Sequence, residues 1–246
     1  MCTATWYKTS GRFDLFFNRD EQKTRQPALP PQIFEGKDTH YIAPIDGDSG
    51  GTWILVNQHG LALALLNHYT ASATYTPKSP VSRGHLLTTL AHSRESSLVD
   101  SYLKTNPLSS YRPFLLLALQ PDRPAQLWTW NGRHVRRNRS SDVLQPFLTT
   151  SSFRSQAVAR KRRSLFQSVI ETTSISPAAL KNFHKTYLPD RTPYGICMQR
   201  EDAETVSFTH IRVRPGYIEL AYTQRLSGTP KFGPTTTIVK HERAAI

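Results

Sequence analysis

A cysteine stands at position 2, directly after the initiator methionine, and a charged string, Asn18-Arg19-Asp20-Glu21, follows within the first strand pair. If Met1 is removed, Cys2 carries a thiol and an α-amine on one carbon. That amine, with an ordinary pKa of about 7.7–8.0, is partly neutral near physiological pH and can act as the thiol's own base. Nucleophile activation of this type needs no separate histidine. Arg19 could lower the thiol pKa or hold a substrate carboxylate. Two plainer readings stand beside these. Cys2 could be a small residue at a frayed terminus, and Arg19 with Asp20 and Glu21 could form a buried ion network that fixes the hairpin.

The segments around these residues must position them. Thr3 to Tyr7 and Phe13 to Phe17 are rich in β-branched and aromatic residues and read as two short strands. Thr9-Ser10-Gly11-Arg12 between them is a tight-turn sequence with Gly11 free to take positive φ. A turn centred on Ser10-Gly11 places Cys2 opposite Arg19. A second hairpin follows the glycine-rich turn Asp46-Gly47-Asp48-Ser49-Gly50-Gly51, with strands Thr52 to Val56 and Leu61 to Asn67 joined by Asn57-Gln58-His59-Gly60. Centring that turn places Asn67 opposite Gly50, so the glycine loop and Asn67 share one end. The Asn67 amide could donate to a developing oxyanion, or it could simply cap the strand end. Gly47-Asp48-Ser49-Gly50-Gly51 spells the nucleophile motif of trypsin-like proteases, but their chain order is His, Asp, Ser, with the serine late. Ser49 therefore reads as a loop residue.

Leu61 to Leu66 is apolar throughout, as expected of a strand covered on both faces. Helical spacing runs over His85 to His92, Glu95 to Lys104 and Ser155 to Glu171, the last burying Val158, Leu165, Phe166, Val169 and Ile170 with its basic residues largely on the wet face. Ser176-Pro177 is a helix start, continued by Ala178 to Tyr187. Further strands are expected at Arg112 to Leu119, Gln126 to Trp130, Gly195 to Met198, Thr205 to Val213 and Tyr217 to Arg225. Asn131-Gly132 is the strongest hairpin signal. Gln26-Pro27-Ala28-Leu29-Pro30-Pro31 is a loop that cannot enter a helix or a central strand. Strands at both ends with helices between them predict sheets flanked by helices in one domain over 1–246.

The chain has 246 residues, a hydrophobic content of 38% and a mean hydropathy of −0.46, which suit a globular protein. No apolar run is long enough to span a bilayer, and the N-terminus lacks the basic and apolar regions of a secretory signal. Two cysteines make no disulfide framework, so a reducing, cytoplasmic location is expected. Histidines and cysteines show no metal-ligand spacing, and no metal is expected. The net charge of +13 and pI near 10.0 favour an anionic partner. The basic residues cluster at Arg133, Arg136, Arg137 and Arg139 and at Arg160-Lys161-Arg162-Arg163. No zinc-finger spacing, RNP signature or continuous basic helix points to nucleic acid, and these runs read as solvated surface. A small anionic ligand or substrate is the partner expected, and nothing in the pattern fixes an oligomeric state.

Met1-Cys2, Asn18-Arg19-Asp20-Glu21, Gly50-Gly51-Thr52-Trp53, Asn67 and Ser82-Arg83-Gly84 together resemble the NRDE family, the transport and Golgi organisation type 2 proteins. That family is similar in turn to the N-terminal-nucleophile (Ntn) hydrolases, such as the bile-salt and penicillin-V amidases and the isopenicillin acyltransferases. The resemblance implies an α+β fold, a four-layer αββα sandwich of antiparallel sheets. It implies a Cys2 nucleophile with its own amine as base, supported by Arg19 and by Asp20 or Glu21, and Asn67 in the oxyanion hole. Glu21, Gly50, Gly51, Trp53 and a late arginine, Arg200, would face the substrate. The implied activity is hydrolysis or acyl transfer at a non-peptide amide through a Cys2 thioester, with no cofactor. The amidases carry an asparagine near Leu148 to Ser152 that helps to hold the oxyanion, and this chain has Thr and Ser there. A carrier is the other function the resemblance implies. Family members are implicated in haem trafficking and some in acyl-CoA metabolism, so haem would be cargo, with an exposed His or Cys2 as axial ligand.

Overall fold

The opening strands show why the chain folds into layers. In the structure, a computed structural model describing residues 2–138, 145–187, 192–226, 229 and 231–241, Cys2–Thr9 (β1) and Arg12–Gln22 (β2) pair antiparallel with Cys2 opposite Arg19. Their alternation sorts the side chains. Cys2, Ala4, Trp6, Phe13, Leu15 and Phe17 join one core, whereas Thr3, Thr5, Phe16 and Asn18 face the other way.

β1 and β2 belong to a six-stranded antiparallel sheet that also contains Phe147–Thr150 (β10), Ala203–Arg214 (β11), Tyr217–Arg225 (β12) and Phe232–His241 (β13), in the order β10-β1-β2-β11-β12-β13. A seven-stranded sheet runs in sequence order through Leu29–Glu35 (β3), His40–Ile45 (β4), Ile54–Asn57 (β5), Ala62–Asn67 (β6), Phe114–Leu119 (β7), Gln126–Trp130 (β8) and Val135–Arg137 (β9). The two sheets share an apolar interior. Arg83–Leu90 (α2) and Ser96–Thr105 (α3) cover the outer face of the seven-stranded sheet, while Ser155–Thr173 (α4) and Pro177–His184 (α5) cover that of the other. A single turn, Tyr69–Ser72 (α1), follows β6. The result is the expected αββα sandwich. β6 illustrates it: Ala62, Ala64 and Leu66 enter the inter-sheet core, and Leu63 and Leu65 pack under the helices.

Several details differ from expectation. The second hairpin pairs Val56 with Ala62 and closes through Asn57 N–H to Leu61 O at 3.0 Å, so its loop is Gln58-His59-Gly60 with Gly60 at φ +68°. A three-residue loop ending in a left-handed glycine shifts the register by one from the centred four-residue turn. Trp53 therefore faces Leu65, bonded through the Leu65 N–H at 2.9 Å, and Asn67 does not oppose Gly50. Gly195 to Met198 forms turns instead of a strand, held by Cys197 N–H on Thr186 O. The proline segment partly joins β3, which is tolerated because β3 is a sheet edge. Strands β4, β10 and β13 had no clear sequence signal. Met1 and Arg139 lie outside the described residues.

Candidate active site

Sheet register, not sequence proximity, assembles the site. Cys2 opens β1, Arg19 lies across from it near the end of β2, and Asn67 ends β6 in the opposite sheet. All three line one cavity of about 370 Å³. Gly51 and Gly84 let its wall close: a Cβ on Gly51 would stand 2.6 Å from the Gly84 carbonyl carbon. Their close approach brings the start of α2, with Ser82 and Arg83, to the cavity. Ser82 caps that helix, its hydroxyl accepting the Gly84 N–H at 3.2 Å.

Cys2 is buried, and burial pushes its thiol above the ordinary value. The positive charge of the chain's terminal amine and the main-chain N–H of Asp20 oppose burial, while the negative charges of Asp20 and Glu21 act with it. The thiol is therefore held protonated and needs a base to react.

Arg19 is only 5% exposed and is fixed from three sides. It bonds Asp46, pairs with Glu21 at 3.3 Å, and stacks on Trp53 with its Cζ 4.0 Å from the ring centre. Arg25 joins Asp46 at 2.6 Å, Asp48 at 3.1 Å and Glu21 at 3.5 Å. The ion network considered from the sequence thus exists, but its central carboxylate is Asp46. Ser49 is a loop residue that donates both N–H and Oγ–H to Asp46 Oδ1, each at 2.9 Å.

Asp46 makes this network sensitive to acid. Burial pushes its carboxyl up, but Arg19, the two Ser49 donors and Arg25 outweigh burial and hold it below the ordinary carboxylate value. A depressed folded-state pKa stabilises the fold above the unfolded value, about 3.9, and that stability is lost as pH falls through the folded value. Thermal unfolding of wild type and Asp46→Asn is accordingly expected to differ by a steady amount above about pH 5, with the gap shrinking as pH falls from about 3.9 through the folded value. A gap that widened on acidification would contradict this assignment.

Asp20 and Glu21 part company. The Glu21 carboxylate stays on the cavity side with Arg19 and Arg25. Asp20 turns its carboxylate to the outer face of the sheet, where it accepts from Thr205 Oγ1 at 2.6 Å and from Arg162 Nη2 at 3.1 Å. Arg162 stands in the basic run 160–163, expected on the wet face, yet it is fully buried on the inner face of α4. It also donates to Thr3 and Thr149, at 3.0 and 3.2 Å, and so ties β1 and β10 together behind Cys2.

Asn67 lines the cavity and donates to the Tyr69 hydroxyl at 2.8 Å. Trp53 lines it too, and Gly50 turns the preceding loop at φ +69°. Arg200 does not line it; its guanidinium pairs with Asp202 and reaches Ser152 at 3.4 Å. Another late arginine, Arg225, lines a neighbouring cavity of about 250 Å³ together with Arg19, Glu21 and Arg25. Sequence reasoning passed over Asp46, Arg25, Arg112 and Arg162. Arg83 and Arg112 line the main cavity, and neither pairs with a carboxylate among the described residues.

Among the described residues no cluster of His, Cys, Asp and Glu could hold a metal ion, and no helix is long and apolar enough to cross a membrane. Residues 1–213 match the family described as Transport and Golgi organisation 2. The fold is similar to that of the mutant C2A conjugated bile acid hydrolase from Clostridium perfringens, with a TM-score of 0.56 and 13% identity over 99% of this chain and 97% of that one. It is also similar to penicillin V acylase from Agrobacterium tumefaciens, with a TM-score of 0.52 and 11% identity over 94% of this chain and 84% of that one. No curated protein matches the chain in sequence. The likeness to both is one of fold, the two stacked antiparallel sheets.

Proposed function

The chain belongs to the Transport and Golgi organisation 2 family, and from that premise we propose that it is a cysteine amidohydrolase or acyltransferase acting on a small, anionic, non-peptide amide through a thioester on Cys2. The observation that carries this reading is the place of Cys2: a thiol on a cavity wall, directly across a strand pair from a buried arginine. The fold is shared with proteins named as a bile acid hydrolase, solved as its C2A mutant, and a penicillin V acylase.

Removal of Met1 frees the Cys2 amine. The neutral amine takes the thiol proton while sulfur attacks the amide carbon, and the carbonyl electron pair moves onto oxygen. The oxyanion then re-forms the carbonyl, the C–N bond breaks, and the ammonium returns its proton to the departing nitrogen. Water, or an acceptor amine, attacks the thioester and restores the thiol. Arg19 stands across the strand pair from Cys2, and its Asp46, Glu21 and Trp53 contacts hold its guanidinium in place on the cavity wall. Arg83 and Arg112, unmatched by carboxylates among the described residues, supply the attraction for an anionic substrate.

Intact-mass measurement is expected to show loss of Met1, and an activated acyl probe should label Cys2. Cys197 serves as an internal control: buried, donating to His184 O at 3.1 Å, and pushed by burial up to about 12, it should stay unlabelled. N-acyl amides with a free carboxylate should compete with the probe better than their methyl esters. Retention of Met1 would rule out the terminal-amine mechanism.

A further inference from the structure

We propose that the outer face of α4 and α5 docks on an anionic lipid bilayer, with Phe153 as its apolar anchor; the inference is independent of the reaction proposed above. The described residues of this layer, from 145 to 187, expose Arg154, Arg160, Lys161, Arg163, Lys181 and Lys185 against a single acid, Glu171. None of these cations pairs with a carboxylate among the described residues. The helical layer on the other sheet sets acids beside its bases: Lys104 pairs with Asp100 at 2.6 Å, and Glu95 takes Arg123. On α4, Arg160, Ser164, Gln167 and Glu171 recur at helical spacing, opposite the inward stripe of Val158, Arg162 and Phe166. Arg163 flanks that outer row and reaches Gln145 at 3.3 Å, so the cations spread across the layer.

Within the free protein this arrangement is unfavourable. Arg160 and Arg163 are like-charged neighbours three residues apart, and Arg154 stands at the positive end of the helix dipole with no acid in the first turn. An anionic surface turns that repulsion into attraction. The surface that fits is a bilayer. The cations lie on an outward helical face, and neither of the two cavities described above is lined by a residue of α4 or α5. Phe153, just before α4, is 37% exposed, with the guanidinium carbons of Arg154 and Arg200 each 5.5 Å from its ring centre. An aromatic ring flanked by arginines suits the headgroup boundary, where the ring sinks and the guanidinium groups meet phosphates. Nucleic acid is gripped instead along a groove with successive stacking aromatics. Of the exposed large apolar residues described, only Phe153 belongs to this layer. It follows Thr150, the strand partner of Cys2, by three residues, so docking turns the Cys2 end of the sandwich toward the membrane.

Flotation of the full chain with vesicles tests the proposal. At about 0.1 M salt the protein should float with phosphatidylcholine vesicles carrying about one quarter phosphatidylserine and not with phosphatidylcholine alone. Raising the salt toward about 1 M should release it, because screening then acts within about 3 Å. Joint replacement Arg160→Gln, Lys161→Gln and Arg163→Gln should lower partitioning about 10²-fold. The control, Arg94→Gln, Arg133→Gln and Arg137→Gln, removes the same charge from the side of the seven-stranded sheet and should lower it no more than about fivefold. Both triple variants change exposed side chains and should unfold at the wild-type temperature. Phe153→Ser should weaken binding about tenfold without changing its dependence on phosphatidylserine. Failure to float with anionic vesicles, equal binding to neutral ones, or equal losses in the two triple variants would overturn the proposal. So would a protein that ignores vesicles but binds duplex or single-stranded nucleic acid through Arg160, Lys161 and Arg163.

Discussion

Cys2→Ala protein is expected to fold like wild type and to lose amide turnover by about 10³-fold or more. The substitution removes one sulfur from a small side chain at a strand end, so the unfolding temperature should move little. Alanine at position 2 is as small as cysteine, so the initiator methionine is expected to be removed equally and the terminal amine is still present. The variant therefore isolates the nucleophile from its base. Cys2→Ser is the sharper comparison. Burial already raises the Cys2 thiol, and a serine hydroxyl is far less acidic still, so an amine with an ordinary pKa of about 7.7–8.0 activates it poorly. Turnover by wild type should rise with pH as that amine loses its proton, and Cys2→Ser should remain low across the range. Substantial turnover by Cys2→Ala would remove Cys2 from the mechanism, and an unchanged pH profile after blocking of the terminal amine would remove the amine.

The first hairpin was legible because a short turn with one glycine leaves few registers, and the pairing of Cys2 with Arg19 follows from it. The second hairpin was less so. The same residues close with three or four in the loop, and only Gly60 in its left-handed conformation decides. Asp46 follows β4 and Asn67 ends β6, both in the sheet opposite Cys2 and Arg19, so their places in the site depend on how the two sheets stack, which no local pattern encodes. Strand β10 is a four-residue edge piece, too short for its alternation to be read, yet it carries Thr150 beside Cys2. The glycines at 51 and 84 were visible as motif letters, but their reason is a backbone contact between two distant segments. The local pattern thus places Cys2 opposite Arg19, and what reaches them from other segments is not legible in it.

Arg162 is the instructive miss, and it carries the largest expected effect on stability. It stands four residues after Val158 and four before Phe166, the two buried apolar residues of α4, so it occupies the middle of the helix's inward stripe. Grouped with its neighbours Arg160, Lys161 and Arg163, it looked like part of a solvated run; grouped by helical period, it points inward. What it meets there is a fully buried ion pair with Asp20 at 3.1 Å, together with Thr3, Thr149 and the Pro193 carbonyl at 3.3 Å. Removing one partner of such a pair strands the other charge, at a cost of about 3–5 kcal/mol. For a chain of this size, Arg162→Met should therefore lower the unfolding temperature by on the order of 10 °C. Asp20→Asn should be destabilising too, but the double variant should cost less than the sum, by on the order of 1–3 kcal/mol, because neither charge is then left alone. Arg162→Lys keeps the charge but cannot span Asp20, Thr3 and Thr149 at once, so it should retain most of the stability and lose part of the activity by loosening β1 and β10 behind Cys2. Strict additivity of the two single changes would show that Arg162 and Asp20 act separately, and would leave the strands behind Cys2 without the clamp inferred for them.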